Sequence, residues 1–311
     1  MDHSTIHSTA DVPPQFLKSA FLVGHVPLKA LASDPRVSYS LYIPPEHYNP
    51  NPASPSQTTP LLPLLVVIHG NDRNIWKSLD RLVSFSHTHH CAILAPLFPA
   101  GLDGPEDLDS FKLLSSRTLR SDLAVLSMLE EIRLRYLGII TEKVFLMGFS
   151  GGGQLVHRFL YLYPERLYAV SIGAPGRVTG LDDSLPWPRG TKDTQEKFGV
   201  IVEPDKIRAV KAILLVVGSD DNVVHGGEEF WAWLGERRKK TPENAVSGTL
   251  TTPTMGRLDT LMKLQEAWRL KGIETKLEIV PGVAHKSEGV LSVVLDFFGP
   301  LLLEKNPNTE L

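Results

Sequence analysis

Apolar residues follow two alternating patterns along this chain. Short runs such as LLPLLVVIHG, CAILAPL, KVFLMGFS, YAVSIGAP and KAILLVVGSDD have the length and apolar character of strands buried on both faces. Between them, apolar residues recur with helical spacing, as in SLDRLVSFSHTHH, RSDLAVLSMLEEIRLRYLG, GGQLVHRFLYLYP and RLDTLMKLQEAWRLKG. Buried strands that alternate with helices predict an α/β fold, with a mostly parallel central sheet and helices on both faces.

The start and the end of the pattern differ from its middle. FLVGHVPLKAL and RVSYSLYIPP mix apolar with polar residues, which predicts half-exposed antiparallel strands, while TKLEIVPG predicts a late strand and VLSVVLDFFGPLLL a last helix. Residues 176–210 break the alternation after the sixth strand, and we interpret them as an insertion that forms a short cap. The helix that begins at RSDLAVL is expected to stop at Gly138. The chain, 1–311, then forms a single domain, with disordered tails expected over 1–15 and 304–311.

Composition and charge narrow the class of protein. The chain has 311 residues, 42% of them hydrophobic, and a net charge of −3, which argues against a nucleic-acid surface or a polybasic membrane anchor. No stretch reaches the roughly 18 uncharged apolar residues of a membrane span, and no apolar signal region stands at the start. We therefore expect a soluble cytoplasmic protein. The one cysteine, Cys91, lies in an apolar run and is interpreted as inert core.

The glycines of GFSGGGQ mark the first candidate site. Gly148-Phe149-Ser150-Gly151-Gly152 fits Gly-x-Ser-x-Gly between a predicted strand and a predicted helix. A serine there sits on a sharp turn that raises its hydroxyl above the sheet edge, and the glycines let strand and helix pack closely. The N–H of Gly151 would then face a developing oxyanion. The hypothesis is that Ser150 is a nucleophile, and the alternative is an ordinary glycine-rich turn.

An acid and a histidine follow Ser150 in the chain. The strand KAILLVVGSDD ends in Asp220 and Asp221, and PGVAH ends in His285, so all the candidates stand at the carboxyl ends of predicted strands. A serine hydroxyl needs a positioned base, and His285 is the best placed for that role. His225, close after the acidic turn, is its one rival among eleven histidines.

The remaining histidines are interpreted as structural. His87, His89 and His90 are expected to be solvated at a helix end, His157 to pack inside its helix, and His69 to order the loop that follows its strand. The histidines do not fall in a metal-binding spacing, and neither a nucleotide-binding glycine motif nor a Walker motif is present, so no metal and no cofactor is expected.

With these motifs in order, the chain resembles the α/β-hydrolase superfamily over roughly residues 20 to 300. The resemblance rests on His69-Gly70, on Gly-x-Ser-x-Gly, on the GSDDNVV turn and on GVAH. The segment LAPLFPAG and the short insertion are most similar to the compact esterase, dienelactone-hydrolase and polyester-depolymerase-like groups. The chain lacks the His-Gly-Gly-Gly stretch of the hormone-sensitive-lipase group and has HGND instead.

The resemblance implies roles for particular residues. The family spacing Gly-x-x-Asp-x-x-Val selects Asp221 as the acid rather than Asp220. It also suggests the backbone N–H of Asn71 as the second oxyanion donor beside Gly151, with Asp72 as the alternative. Apart from the resemblance, aromatic residues near the sheet edge and in the insertion are candidates for the walls of a substrate pocket, with packing in the core as the alternative: Phe98, Phe149, Trp187 and Phe198.

The activity implied by the resemblance is that of a serine hydrolase acting on a small-molecule carboxylic ester, lactone or thioester. Two alternatives stay open at this point. One is a tailoring enzyme of small-molecule biosynthesis, in which the serine performs acyl transfer, cyclisation or carbon–carbon cleavage. The other is a ligand-binding protein that keeps a vestigial triad. Neither nucleic acid nor membrane is an expected partner, and the oligomeric state is open.

Overall fold

The computed structural model describes residues 8–54, 59–105, 107–222 and 255–305, together with residues 229, 232, 233, 235 and 236. Within them, eight strands form one sheet: β1 (Gly24–Ala30), β2 (Ser38–Ile43), β3 (Leu62–Ile68), β4 (Ala92–Leu97), β5 (Ile139–Phe149), β6 (Leu167–Gly173), β7 (Ala212–Gly218) and β8 (Lys276–Val280). The helices whose full ranges lie within the described residues are α1 (Ile75–Thr88), α2 (Ser121–Arg135), α3 (Gly151–Leu162), α4 (Thr194–Phe198), α5 (Pro204–Arg208), α6 (Arg257–Arg269) and α7 (Ser287–Lys305).

The strand order across the sheet is β1-β2-β4-β3-β5-β6-β7-β8. The strand β2 runs antiparallel to both β1 and β4, and the pairs from β4 through β8 are parallel. This confirms the mostly parallel sheet with two antiparallel strands at its start. Since parallel strands end at the same edge, residues that follow β5, β7 and β8 meet there.

Two apolar layers cover the sheet, one on each face. Residues of β3 show the division: Leu64 and Val66 pack with α2, α3 and α6, while Leu65 and Val67 pack with α1 and α7. Successive side chains of a strand point to opposite faces. A strand buried on both faces must therefore be apolar throughout, as the continuous run in β3 is. We call the first layer the α3 face and the second the α1/α7 face.

Three sequence predictions are adjusted here. The helix α2 ends at Arg135 rather than at Gly138, and Gly138 serves a close approach, because a Cβ there would lie 2.0 Å from Asn49 O. The N-terminal tail expected over 1–15 is folded from residue 8: Thr9 is buried and its hydroxyl lies 2.5 Å from that of Tyr48. The last helix continues to Lys305, two residues into the tail expected over 304–311.

Cys91 is fully buried, and burial raises the pKa of its thiol to about 12, in keeping with an inert core residue. Residues 176–210 lie between β6 and β7, as predicted, and contain α4 and α5. None of the described helices is both long and apolar enough to cross a membrane.

Candidate active site

Ser150 stands between β5 and α3 on a sharply bent backbone. Its φ of 55° and ψ of −114° lie where residues other than glycine are uncommon, and its N–H donates to Gly173 O at 2.9 Å. The flanking glycines provide space: a Cβ on Gly148 would lie 2.5 Å from the carbonyl carbon of Gly152, and one on Gly152 would lie 2.3 Å from Ile68 O. The backbone thus has the strand–turn–helix form that the motif predicts.

The side chains of Ser150, His285 and Asp221 form one hydrogen-bonded chain. His285 Nδ1 lies 2.6 Å from Asp221 Oδ2, and His285 Nε2 lies 2.9 Å from Ser150 Oγ. Because a carboxylate oxygen only accepts, Nδ1 carries the proton, and the neutral ring then accepts the Ser150 hydroxyl proton at Nε2. The serine hydroxyl is therefore joined to a group that can take its proton.

The two adjacent acids are separated by their surroundings. Asp221 is 2% exposed and contacts His285, whereas Asp220 is exposed and accepts a hydrogen bond from the Ser219 hydroxyl at 2.8 Å. The structure therefore brings Asp221 into the hydrogen-bonded chain and leaves Asp220 in the turn. The rival base, His225, lies outside the described residues.

Arg257 is a residue of the site that the sequence did not suggest. Its Nη1 donates to Asp221 Oδ1 at 2.9 Å, on the oxygen that does not face His285. The backbone N–H groups of Arg257 and Leu258, at the start of α6, also donate to the Asp221 carbonyl, at 3.2 and 3.3 Å. Asp221 is thus held from both ends. No local motif in the sequence marks this contact. Only the general rule that a buried carboxylate requires a cation or several donors predicts that Asp221 has a further partner.

The loop after β3, which carries Asn71, lies close to Gly151. A Cβ on Gly151 would be 2.7 Å from Asn71 Oδ1, so the loop after β3 approaches the start of α3 closely. His69 holds this loop: its Nδ1 donates to Gly70 O at 2.7 Å, and its Nε2 accepts from Phe98 N at 3.0 Å. Burial lowers the pKa of His69 to about 4, which keeps the ring neutral. His69 is therefore an ordering residue, as interpreted.

A buried ion pair packs behind the same turn. Lys112 is buried, its Cε would lie 3.0 Å from a Cβ on Gly151, and its ammonium pairs with Asp109. Burial lowers the pKa of Lys112, while the Asp109 carboxylate opposes this effect. Arg158, fully enclosed on α3, donates to Lys112 O at 2.7 Å. These charged groups pack on the α3 face, and no pattern in the sequence singled them out.

The other histidines make structural contacts. His157 is fully buried, and its Nε2 accepts from Thr179 N at 2.8 Å, which ties the insertion to α3. The three histidines near the end of α1 are half-buried rather than solvated, which corrects the sequence interpretation. His87 lies 2.6 Å from the Tyr42 hydroxyl, and the ring of His90 stacks on that of His47 with centroids 3.6 Å apart.

Only one of the four predicted aromatic residues lines the cavity beside Ser150. Phe149 lines it, and its ring centroid lies 4.8 Å from that of His285. Phe98, Trp187 and Phe198 are not among its lining residues and belong to the core of the α3 face. Two of them find their partners within that core: the Trp187 indole donates to Leu113 O at 2.7 Å, and its ring meets that of Phe198 edge to face. These three residues are core rather than pocket wall.

Comparison with solved structures identifies the fold. The chain is similar to a poly(3-hydroxybutyrate) depolymerase from Bordetella parapertussis, with a TM-score of 0.63 and 20% identity over 94% of this chain and 93% of that chain. It is also similar to poly(aspartic acid) hydrolase-1 from Sphingomonas sp. KT-1, with a TM-score of 0.59 and 20% identity over 84% and 92%. An S-formylglutathione hydrolase from Staphylococcus aureus gives a TM-score of 0.51 at 12% identity over 86% and 92%.

At these identities the likeness shows the fold. The chain has the α/β-hydrolase fold, which confirms the fold that the sequence resemblance implied. No protein-family model matches the chain, and no curated protein matches it.

Proposed function

We propose that the protein is a serine hydrolase that cleaves a carboxylic ester, lactone or thioester of a small molecule through an acyl-enzyme. The observation that carries the proposal is the hydrogen-bonded chain Ser150–His285–Asp221, built from the ends of three parallel strands. The fold is compatible with it, but function must be argued from the site, because one fold hosts many activities.

In the acylation step, Ser150 Oγ attacks the carbonyl carbon while its proton moves to His285 Nε2. The carbonyl oxygen becomes an oxyanion, which the backbone N–H groups of Gly151 and Asn71 bind, with support from the positive end of α3. Collapse of the tetrahedral intermediate breaks the bond to the leaving group, which takes the proton from His285. An ester bond to Ser150 remains.

In the second step, water replaces the alcohol. His285 Nε2 takes a proton from the water as it attacks the acyl carbon, and the Ser150 oxygen recovers that proton as it leaves. Asp221 holds the Nδ1–H tautomer and stabilises the imidazolium throughout. Arg257 is a positioning residue, since it binds the Asp221 oxygen that faces away from the ring. The steps use the chain's own groups and water.

The tailoring-enzyme and ligand-binding alternatives are less well supported. A vestigial site has no need to keep all three side chains within 2.6 to 2.9 Å of their partners. A transferase would need an acceptor other than water, and no observation favours one. The cytoplasmic location remains a prediction that cell fractionation can check.

The test is Ser150→Ala against the matched control Ser292→Ala, an exposed serine on α7. Loss of the nucleophile should lower kcat for a p-nitrophenyl ester by about 10⁶-fold and abolish fluorophosphonate labelling, with the circular dichroism spectrum unchanged. Ser292→Ala should match the parent in both assays. Undiminished hydrolysis by Ser150→Ala would refute the proposed function. A folded parent that is never labelled would favour the vestigial alternative.

A further inference from the structure

A cavity of about 390 Å³ opens beside Ser150 and His285 on the α1/α7 face. Its lining follows α1 from Asn74 to Leu82, which at 1.5 Å per residue is a length of about 12 Å. It therefore extends well below the edge of the sheet where the serine stands. Its volume lies within the range of about 300–1,000 Å³ that is typical of small-molecule sites.

The cavity is lined by both apolar and polar side chains, and apolar atoms make up the larger part of its surface. The sheet contributes one wall and the two helices the other, through Val67, Met147, Val216, Leu82, Val290 and Val294. A polar ligand would lose its hydrogen bonds to water against the apolar part of this lining, whereas an apolar chain is stabilised by each methylene group that it buries there. The cavity therefore suits an aliphatic chain.

Among the described residues, five charged side chains line the cavity: Asp72, Lys77, Arg81, Lys286 and Glu288. Lys77 and Arg81 of α1 both donate to Glu288 Oε1 of α7, each at 2.6 Å. The ion pairs connect the two helices, and the carboxylate is shared by two cations. Because the side chains of Lys77, Arg81 and Glu288 are 30–49% exposed, their charges stay in contact with water, and a neutral chain can lie against the apolar residues without burying those charges.

We propose that this cavity binds an uncharged aliphatic chain of the ester substrate. The inference rests on the proposed function, since the chain must be attached to the carbonyl that Ser150 attacks. The chain can stand on the acyl or the alcohol side of the ester, because the chemistry of the walls is the same for both. The insertion 176–210, whose aromatic residues are buried in the core, does not set the chain-length preference.

Leu291 and Leu295 offer a matched test on the same helix. Leu291 is partly buried and lines the cavity. Leu295, one turn further along α7, packs against the same apolar layer and is not among the lining residues. Leu291→Trp should fill the cavity, and Leu295→Trp adds the same bulk outside it. Two substrate panels are used: p-nitrophenyl esters from acetyl to decanoyl, and straight-chain alkyl acetates.

The parent should hydrolyse medium-chain substrates with a higher kcat/KM than the shortest ones in one of the two panels. The panel that shows this identifies the side of the ester that carries the chain. Leu291→Trp should lower kcat/KM for octanoyl or octyl substrates by about tenfold or more, while changing the shortest ester by less than about twofold. Leu295→Trp should keep the parent profile.

Two outcomes would overturn the proposal: a parent with no chain-length preference in either panel, or a Leu291→Trp profile parallel to that of Leu295→Trp. Both are separate from failure of the proposed function, because hydrolysis of the shortest ester and its dependence on Ser150 report the triad alone. If Leu291→Trp does not fold, Ser171→Val is measured instead, since Ser171 also lines the cavity and a β-branched residue suits its strand.

Discussion

The two faces of the sheet are packed differently beside Ser150. On the α3 face, Lys112 packs against the start of α3 next to Ser150 and pairs with Asp109, and Arg158 and the buried rings of the insertion pack in the same layer. On the α1/α7 face a cavity of about 390 Å³ remains between the sheet and the helices. One face packs against the turn at Ser150, and the other leaves a cavity beside it.

This contrast shows why residue type alone does not identify a pocket. Trp187 and Phe198 are large, apolar and placed near the sheet edge, yet they satisfy their packing and hydrogen bonding within the core. The apolar part of the cavity lining instead comes mainly from valine, leucine, isoleucine and methionine of the strands and helices, with Phe149 beside them. Whether a side chain lies in the core or lines the cavity depends on which residues pack against it in the folded chain.

The largest expected effect concerns the triad, which bridges the two faces. Arg257 of α6 holds Asp221 from the α3 side, while His285 directly precedes α7. Asp221→Asn should lower kcat by about 10⁴-fold, because an amide can hold the wrong imidazole tautomer. Asp220→Asn, its matched neighbour, should lose far less. Steady-state kinetics checks the ranking, and a larger loss from Asp220→Asn would move the triad acid to that residue.

The next largest effect is expected in the free energy of unfolding, after a substitution in the core of the α3 face. Trp187→Ala should reduce the free energy of unfolding by about 3–5 kcal/mol, since it removes a buried ring and leaves Leu113 O without its donor. Its chain-length profile should parallel that of the parent. Trp76→Ala, at a site 48% exposed, should change stability by less than about 0.5 kcal/mol. Urea unfolding gives the energies, and a shifted chain-length profile in Trp187→Ala would restore the cap hypothesis.

Acid should weaken the α3 face through its buried neutral histidines. Burial lowers the pKa of His69 to about 4, and it lowers that of His157 well below its ordinary value. The unfolded chain binds these protons near pH 6.5, so the stability is complete above that pH and is lost as pH falls towards 4.

For His69 the loss amounts to about 3 kcal/mol over that interval. Urea unfolding across the same pH range measures it. His69→Gln keeps a donor and an acceptor but does not titrate, so its stability should fall less steeply with acid. Equal slopes for the variant and the parent would show that His69 does not contribute.

The smallest effect belongs to the ion pairs on the α1/α7 face. The side chains of Lys77, Arg81 and Glu288 are 49%, 30% and 44% exposed, and water and salt screen them. Glu288→Gln should therefore reduce the free energy of unfolding by less than about 1 kcal/mol, and the reduction should shrink in high salt. A loss of several kcal/mol would mean that this linkage is a major support of the two helices.

The sequence predicted the features that depend on local pattern. Continuous apolar runs marked the buried strands, and the glycines around Ser150 marked a turn where a Cβ would collide with backbone. His285 and Asp221 could be proposed because the order of strands brings their ends to one edge. Contacts between distant segments could not be read in the same way. Arg257 meets Asp221 across 36 residues, and Trp187 meets Leu113 across 74.

The separation of the triad residues also bears on how the protein assembles. Ser150 and His285 are 135 residues apart in sequence, and Asp221 and His285 are 64 apart. Contacts this distant form slowly, because the chain entropy of closing the intervening segments is lost before the contacts repay it. The hydrogen-bonded chain can exist only once β5, β7 and β8 are in register. Hydrolytic activity should therefore return late in refolding, which makes it a reporter of the complete sheet rather than of early helix formation.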